Sequence, residues 1–290
     1  MLSKFDYYRP DSLEKGLTYL QNHSDTKILA GGTDLMLLLR NNAVICEHIL
    51  DIKDIPETKI LEYTPGKGLF IGASIPVNRI AEEDVIREKY PALCHAADSL
   101  GSYLVRNRAT LVGNICHASP GADTSAPLLV YDAKVHIASS EGIRILNLPD
   151  FFTGVKKTAV KENEIVLGVS LPDVEFGDTS IYLRKARIKG HDLCNVGLAM
   201  RLTASKEVYV ALAAVEPIPL RLTELEKSLA TKELNPELGP WIQEEIKKYM
   251  NPRRGSLRSS REFRLHIGGV LAKRGLLELI EKGATEYVQS

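Results

Sequence analysis

The chain has 290 residues with 44% apolar and 26% charged side chains, an ordinary globular composition with room for one large or two ordinary domains. Lys plus Arg and Asp plus Glu are both 37, so no global charge draws it to nucleic acid or to an anionic membrane. No apolar run approaches the roughly 18 residues of a membrane span and no signal-peptide pattern opens the chain, which points to the cytoplasm.

Taken in order, Phe5 begins an extended entry. Pro10-Asp11-Ser12 is a helix start, and Leu13, Leu17 and Leu20 recur at helical spacing. Residues 27–30 read as a short strand and 33–40 as the first turns of a helix, with Gly31-Gly32 at the joint. Strands are expected at 48–52, 59–63 and 68–71, the last two joined by the turn Thr64-Pro65-Gly66-Lys67. Residues 91–100 form a helix with Leu93, Ala96, Ala97 and Leu100 on one face. Residues 110–130 read as a Gly/Ser/Asp/Pro-rich loop containing a Gly113-Asn114 turn, followed by strands at 134–138, 143–146 and 164–171.

A composition shift from Leu171-Pro172-Asp173 to Phe176-Gly177-Asp178 divides the chain into 1–175 and 176–290. Beyond it, 180–187, 196–203 and 208–215 are expected to form a three-stranded antiparallel sheet, with helices in most of the rest. Ser259-Ser260-Arg261-Glu262 fits a capping box for the last helix, whose apolar face would carry Phe263, Ile267, Val270, Leu271 and Leu277. Gly268-Gly269 inside that helix costs about 1 kcal/mol per Gly relative to Ala, which suggests close packing there. The layout is α+β, in two domains.

The strand–Gly31-Gly32–helix joint is either a tight turn or a place where bare backbone meets an anion, since Thr33 and Asp34 open a helix whose free amides favour phosphate. It is not G-x-G-x-x-G, and the acidic residue of a dinucleotide-binding βαβ unit is missing, which disfavours that fold. In residues 105–135 small residues alternate with hydroxyl and amide side chains. Such a segment is either a long surface loop or backbone wrapped around a polar, phosphate-bearing ligand, with Asp123 placed to accept from sugar hydroxyls. Cys46, Cys94, Cys116 and Cys194 form no CxxC group and read as small apolar residues, so no metal site is expected in the chain. Cys116-His117 lacks an oxyanion-hole pattern, and no catalytic side chain is assigned. His191-Asp192 reads as a solvated turn, and the arginines at 253, 254, 258, 261 and 264 as a solvated basic face, with docking on an acidic partner as the alternative.

Together AGGTDL at 30–35, RNRATLVGN at 106–114 and S-P-x-x-D at 119–123 resemble the FAD-binding medium subunit of molybdenum hydroxylases, the xanthine dehydrogenase and carbon monoxide dehydrogenase family. FDYYRPDSLEKGL near the start, EIVLGVSLP before the boundary and SLRSSREFRLHIGGVLAKR near the end extend the likeness over nearly the whole chain, in particular to the separate FAD subunit of bacterial xanthine dehydrogenases. The resemblance implies a PCMH-type, vanillyl-alcohol-oxidase-like FAD-binding domain and a smaller C-terminal domain of sheet and helices.

By position in the family, Ile28, Leu29, Ala30, Gly31, Gly32, Thr33, Asp34 and Leu35 would wrap the FAD diphosphate. Thr110, Gly113 and Asn114 would form the second wall, with Asp123 on ribityl or ribose hydroxyls and Val166 at the adenine end. Lys185 falls near the family's flavin-adjacent lysine, a register Arg184 could also take, and Leu100 stands where some relatives carry an aromatic. Val112 replaces a glycine of the family's T-[IL]-G-G-N. If that position needs a positive φ, a strain of about 1–3 kcal/mol would weaken FAD binding. No cysteine-bearing insertion adds an iron–sulfur cluster here.

The resemblance further implies a non-covalent FAD, because no His or Cys stands at a flavin-linking position. Electrons would come from the [2Fe–2S] clusters of one partner subunit, after substrate oxidation at the molybdenum cofactor of another, and pass to NAD⁺, ferredoxin or oxygen, NAD⁺ being the expected acceptor. A dimer of heterotrimers is the expected assembly. Two rivals stand beside this reading: a self-contained flavin oxidase of the same fold superfamily, and a non-catalytic subunit whose FAD site has weakened at Val112.

Overall fold

Ser12 accepts from the Lys15 amide and starts the helix Leu13–Asn22, whose Leu17 and Leu20 are buried. Around this helix a computed structural model describes residues 4–188, 190 and 192–286. β1 (Asp6–Tyr8), β2 (Thr26–Leu29) and β3 (His48–Asp51) form a small parallel sheet in the order β1-β3-β2, which pairs Leu29 with Asp51 and delivers the chain to the diglycine joint. The following helix is Leu35–Arg40, two residues shorter than expected, because Thr33 and Asp34 are used up in the turn before it.

The second sheet is antiparallel, and a two-stranded hairpin interrupts its chain order. β4 (Leu61–Thr64), β5 (Gly68–Gly72), β6 (Lys134–Ser139) and β7 (Gly142–Asn147) come first, then the hairpin β8 (Phe152–Gly154) and β9 (Lys157–Thr158), then β10 (Ile165–Leu171). Spatial order is β4-β5-β10-β6-β7. β10 occupies the middle and is almost wholly buried, which is why its sequence is a continuous apolar run rather than an alternating one. Its register against β6 slips between Val166 and Gly168, and such a bulge re-aims the side chains beside it.

Of residues 110–130 only 117–124 are a loop. Thr110 caps the helix Leu111–Cys116 by accepting from the Gly113 amide at 3.0 Å, and a second short helix spans Ser125–Val130. Gly113-Asn114 therefore lies inside a helix, not in a turn. Thr110, one of the hydroxyl residues that suggested a loop, serves here as a helix cap.

The C-terminal sheet has four strands rather than three. β11 (Thr179–Lys185), β12 (Val196–Leu202) and β13 (Val208–Ala213) occupy the expected places, and the two-residue β14 (Leu220–Arg221) adds an edge. Both faces of this sheet are covered. Tyr182, Ala199, Ala211 and Ala213 join the core of the first unit, whereas Ile181, Leu198, Met200 and Leu212 pack beneath the helix Arg261–Glu286. The residue cap of that helix is Ser260, which accepts from the Phe263 amide at 3.1 Å, one position later than the capping box placed it.

The buried face of the last helix also differs from the apolar one drawn from sequence. Gly268, Leu271, Ala272, Gly275, Leu276 and Leu279 turn inward, while Phe263 is exposed. The glycines explain this. A Cβ at Gly275 would stand 2.8 Å from Ile181 and 2.9 Å from the Met200 sulfur, and one at Gly269 only 2.3 Å from the Gln243 carbonyl. The helix approaches its neighbours through missing side chains, which realises the close packing expected at Gly268-Gly269.

Candidate cofactor cleft

The two small-residue segments meet. A Cβ on Gly31 would lie 2.0 Å from the Arg108 carbonyl oxygen and 3.0 Å from the Ala109 Cα, so the diglycine turn rests directly on the backbone leading into Thr110. Gly32 has φ +77°, a left-handed conformation that suits glycine. Behind the turn, the Lys53 ammonium donates to the Ala30 carbonyl at 3.1 Å and pairs with the buried Asp51 at 2.7 Å. Burial pushes the Asp51 carboxyl upward, but Lys53 and Tyr7 outweigh it and hold that carboxyl below its usual range.

A cleft of about 650 Å³ opens along this contact, within the roughly 300–1,000 Å³ usual for cofactor sites. Ile28 through Leu35 form one wall; Thr110, Gly113 and Asn114 form the other. Leu100, Asp123 and Val166 line it as well, so fourteen of the fifteen residues singled out from sequence share one cavity. Lys185 is the exception. It ends β11 exposed and outside the lining, because alternate strand residues face opposite ways and Tyr182 and Arg184 take the inward side.

Arg184, the alternative in that register, faces inward but sits behind the cleft wall. Its guanidinium reaches the Ser99 carbonyl at 2.9 Å, the Asp192 carbonyl at 2.7 Å and Asp123 Oδ1 at 3.0 Å. Tyr182 donates to the same carboxylate oxygen at 2.7 Å. Burial pushes the Asp123 carboxyl up to about 6 even though Arg184 and Tyr182 favour its charged form. Asp123 thus ties the first unit to the C-terminal sheet as well as lining the cleft. Asp192 is no solvated turn either: its side chain is 5% exposed and bound by Arg187. His191 lies outside the described residues.

Other expectations change with burial. Arg264 leaves the basic surface and is enclosed, donating to the Ala214 carbonyl and to Ser256 and Ser259. Burial pushes the thiols of Cys116 and Cys194 up to about 12, so neither supplies a thiolate. His117 looks away from chemistry with Cys116 and toward Asp34, 3.9 Å off across the cleft. Neither Lys53, behind the turn, nor Lys156, which lines the cleft, was found from sequence: a lone lysine carries no spacing signal.

Val112 carries no backbone strain. It is helical, 3% exposed, and absent from the residues of positive φ. Val112→Gly is therefore expected to lower stability by about 2 kcal/mol through lost burial and helix propensity, without tightening FAD. A urea melt paired with a flavin titration checks both.

The cleft suits a flavin dinucleotide. Asn114 Oδ1 accepts from Thr124 at 2.7 Å, which leaves its Nδ2 as a donor, and the turn at 31–34 presents backbone with no Cβ at two positions. Comparison with other proteins agrees with this geometry. Residues 3–174 match the family described as the FAD binding domain in molybdopterin dehydrogenase, and residues 181–279 the CO dehydrogenase flavoprotein C-terminal domain. The chain is 29% identical over 279 residues to the xanthine dehydrogenase FAD-binding subunit of Escherichia coli O157:H7, covering 94% of this chain and 95% of that one. It is likewise 29% identical to the glyceraldehyde dehydrogenase medium chain of Sulfolobus acidocaldarius, covering 95% and 98%. A chain of carbon monoxide dehydrogenase from Hydrogenophaga pseudoflava superposes with a TM-score of 0.91 at 26% identity, covering 97% and 99%. With both domains matched in order and a cleft built from the segments expected to hold the cofactor, the chain belongs to the family of FAD-binding medium subunits of molybdenum hydroxylases.

Proposed function

We propose that this chain is the electron-outlet subunit of a xanthine dehydrogenase-like complex, binding FAD non-covalently and passing electrons from the [2Fe–2S] clusters of a partner subunit to NAD⁺. The observation that carries the reading is the closure of Gly31 on Arg108, which builds one cleft from two distant segments. When bound, FAD supplies an exchange between single-electron donors and a two-electron acceptor.

This chain's residues hold and shield it. The backbone amides of residues 31–34 receive the diphosphate, and the Asn114 amide supports it from the opposite wall. Asp123 accepts from sugar or ribityl hydroxyls through the oxygen not taken by Tyr182 and Arg184. Val166 would stand at the adenine end, and Leu100 would offer the ring end an aliphatic surface. The molybdenum cofactor belongs to a third subunit, as in the homologous complexes. No helix among them is long and apolar enough to cross a membrane. The expected assembly is a dimer of heterotrimers.

Purified chain reconstituted with FAD is expected to show flavin bands near roughly 370 and 450 nm and to release the flavin on acid precipitation. Anaerobic NADH then bleaches the longer band. Bands that never appear would remove the cofactor reading; bands that dithionite bleaches and NADH does not would remove NAD⁺ alone.

A further inference from the structure

The tip of the β8–β9 hairpin is built at a conformational cost. Its two loop residues are Val155 and Lys156, and Lys156 has φ +56°, a left-handed conformation disfavoured for residues other than glycine. The Lys156 amide donates at 2.9 Å to the carbonyl of Ala118, itself left-handed at φ +47°. Two strained residues from different segments therefore grip each other beside His117, and Lys156 lines the cleft. Among the described residues no carboxylate pairs with its ammonium. Glycine would suit that turn position better, so the strain persists where a cation is placed on the cavity. Strain of this kind gathers at ligand clamps.

We propose that Lys156, assisted by His117 on the adjoining segment, is a phosphate-contacting residue of the cleft, clamping a nucleotide phosphate against the 31–34 turn. His117 Nε2 stands 3.9 Å from the Asp34 carboxylate on that turn, and Lys156, His117 and residues 31–34 line one cavity, so a phosphate bound there would compete with Asp34 for the imidazole and draw on the cation of Lys156. The inference rests on the FAD reading, and the phosphate has two possible sources: the diphosphate of the cofactor, or a phosphate of the nucleotide acceptor.

The test compares the full-length chain with Lys156→Met, Lys156→Arg and Lys156→Gly, titrating each with FAD, riboflavin and, once FAD-loaded, NADH. If the cofactor is the source, Lys156→Met weakens FAD about tenfold, as expected for one charge-assisted contact, leaves riboflavin unchanged, and Lys156→Arg restores binding. If the acceptor is the source, FAD is unaffected and NADH alone weakens by a similar factor. Lys156→Gly adds a readout that a structural role would not give: relief of the left-handed strain raises the melting temperature while nucleotide binding falls. Unchanged FAD and NADH affinity in both Met and Gly variants overturns the proposal. Failure of the unaltered chain to bind FAD at all would instead overturn the cofactor reading.

Discussion

Gly31→Ala is expected to abolish most FAD binding and to destabilise the first domain. The added methyl would stand 2.0 Å from the Arg108 carbonyl oxygen and 2.8 Å from its carbon. Neither atom is the free end of a side chain, so the two walls must separate by more than an ångström. Overpacking against fixed backbone costs upwards of about 3 kcal/mol. If binding bears that cost, FAD weakens by about a hundredfold, since each 1.4 kcal/mol is tenfold. Gly154→Ala is the matched control, because its Cβ would meet nothing nearer than the Lys157 side chain at 3.8 Å. Thermal melts and a flavin fluorescence titration read both effects. Equal behaviour of the two variants would mean that the diglycine turn does not hold the walls together.

That prediction also marks where sequence reading stops. The Gly31-Gly32 pair was legible as a turn or an anion site, because glycine between a strand and a helix start has few other uses. What Gly31 faces was not legible from the residues, since Arg108 lies far along the chain and only packing joins them. The order AGGTDL, RNRATLVGN and S-P-x-x-D carried the family, and through it the cleft. Misreadings came from local ambiguity. Hydroxyl and small residues mark helix caps as readily as loops, which hid the helix Leu111–Cys116. In a strand a one-residue slip exchanges faces, which separated Lys185 from Arg184. The last helix buries glycines, invisible to a search for apolar side chains. Lys156 is the sharpest case: its position depends on a backbone conformation that composition argues against.

Arg184→Met should cost more stability than any surface change, and the cost should depend on pH. The guanidinium, 15% exposed, holds the Ser99 and Asp192 carbonyls and stands beside Asp123, whose side chain is 8% exposed. Removing one partner of a buried pair leaves the other charged and unmatched, a loss of about 3–5 kcal/mol. Burial already raises the Asp123 carboxyl to about 6 in the folded chain from 3.8. Between those values the folded state binds more proton than the unfolded one, so this group's contribution to stability falls as pH rises and is least favourable above about 6. Without Arg184 the folded value moves higher still, and the window extends upward with it. The difference between Arg184→Met and the unaltered chain is therefore expected to be largest near about pH 8 and to shrink near about pH 5. Adding Asp123→Asn to Arg184→Met should remove that dependence and recover part of the loss, because a neutral amide needs no counter-charge. Urea midpoints across this range decide the matter: a pH-independent difference would show that Asp123 is not the group Arg184 supports.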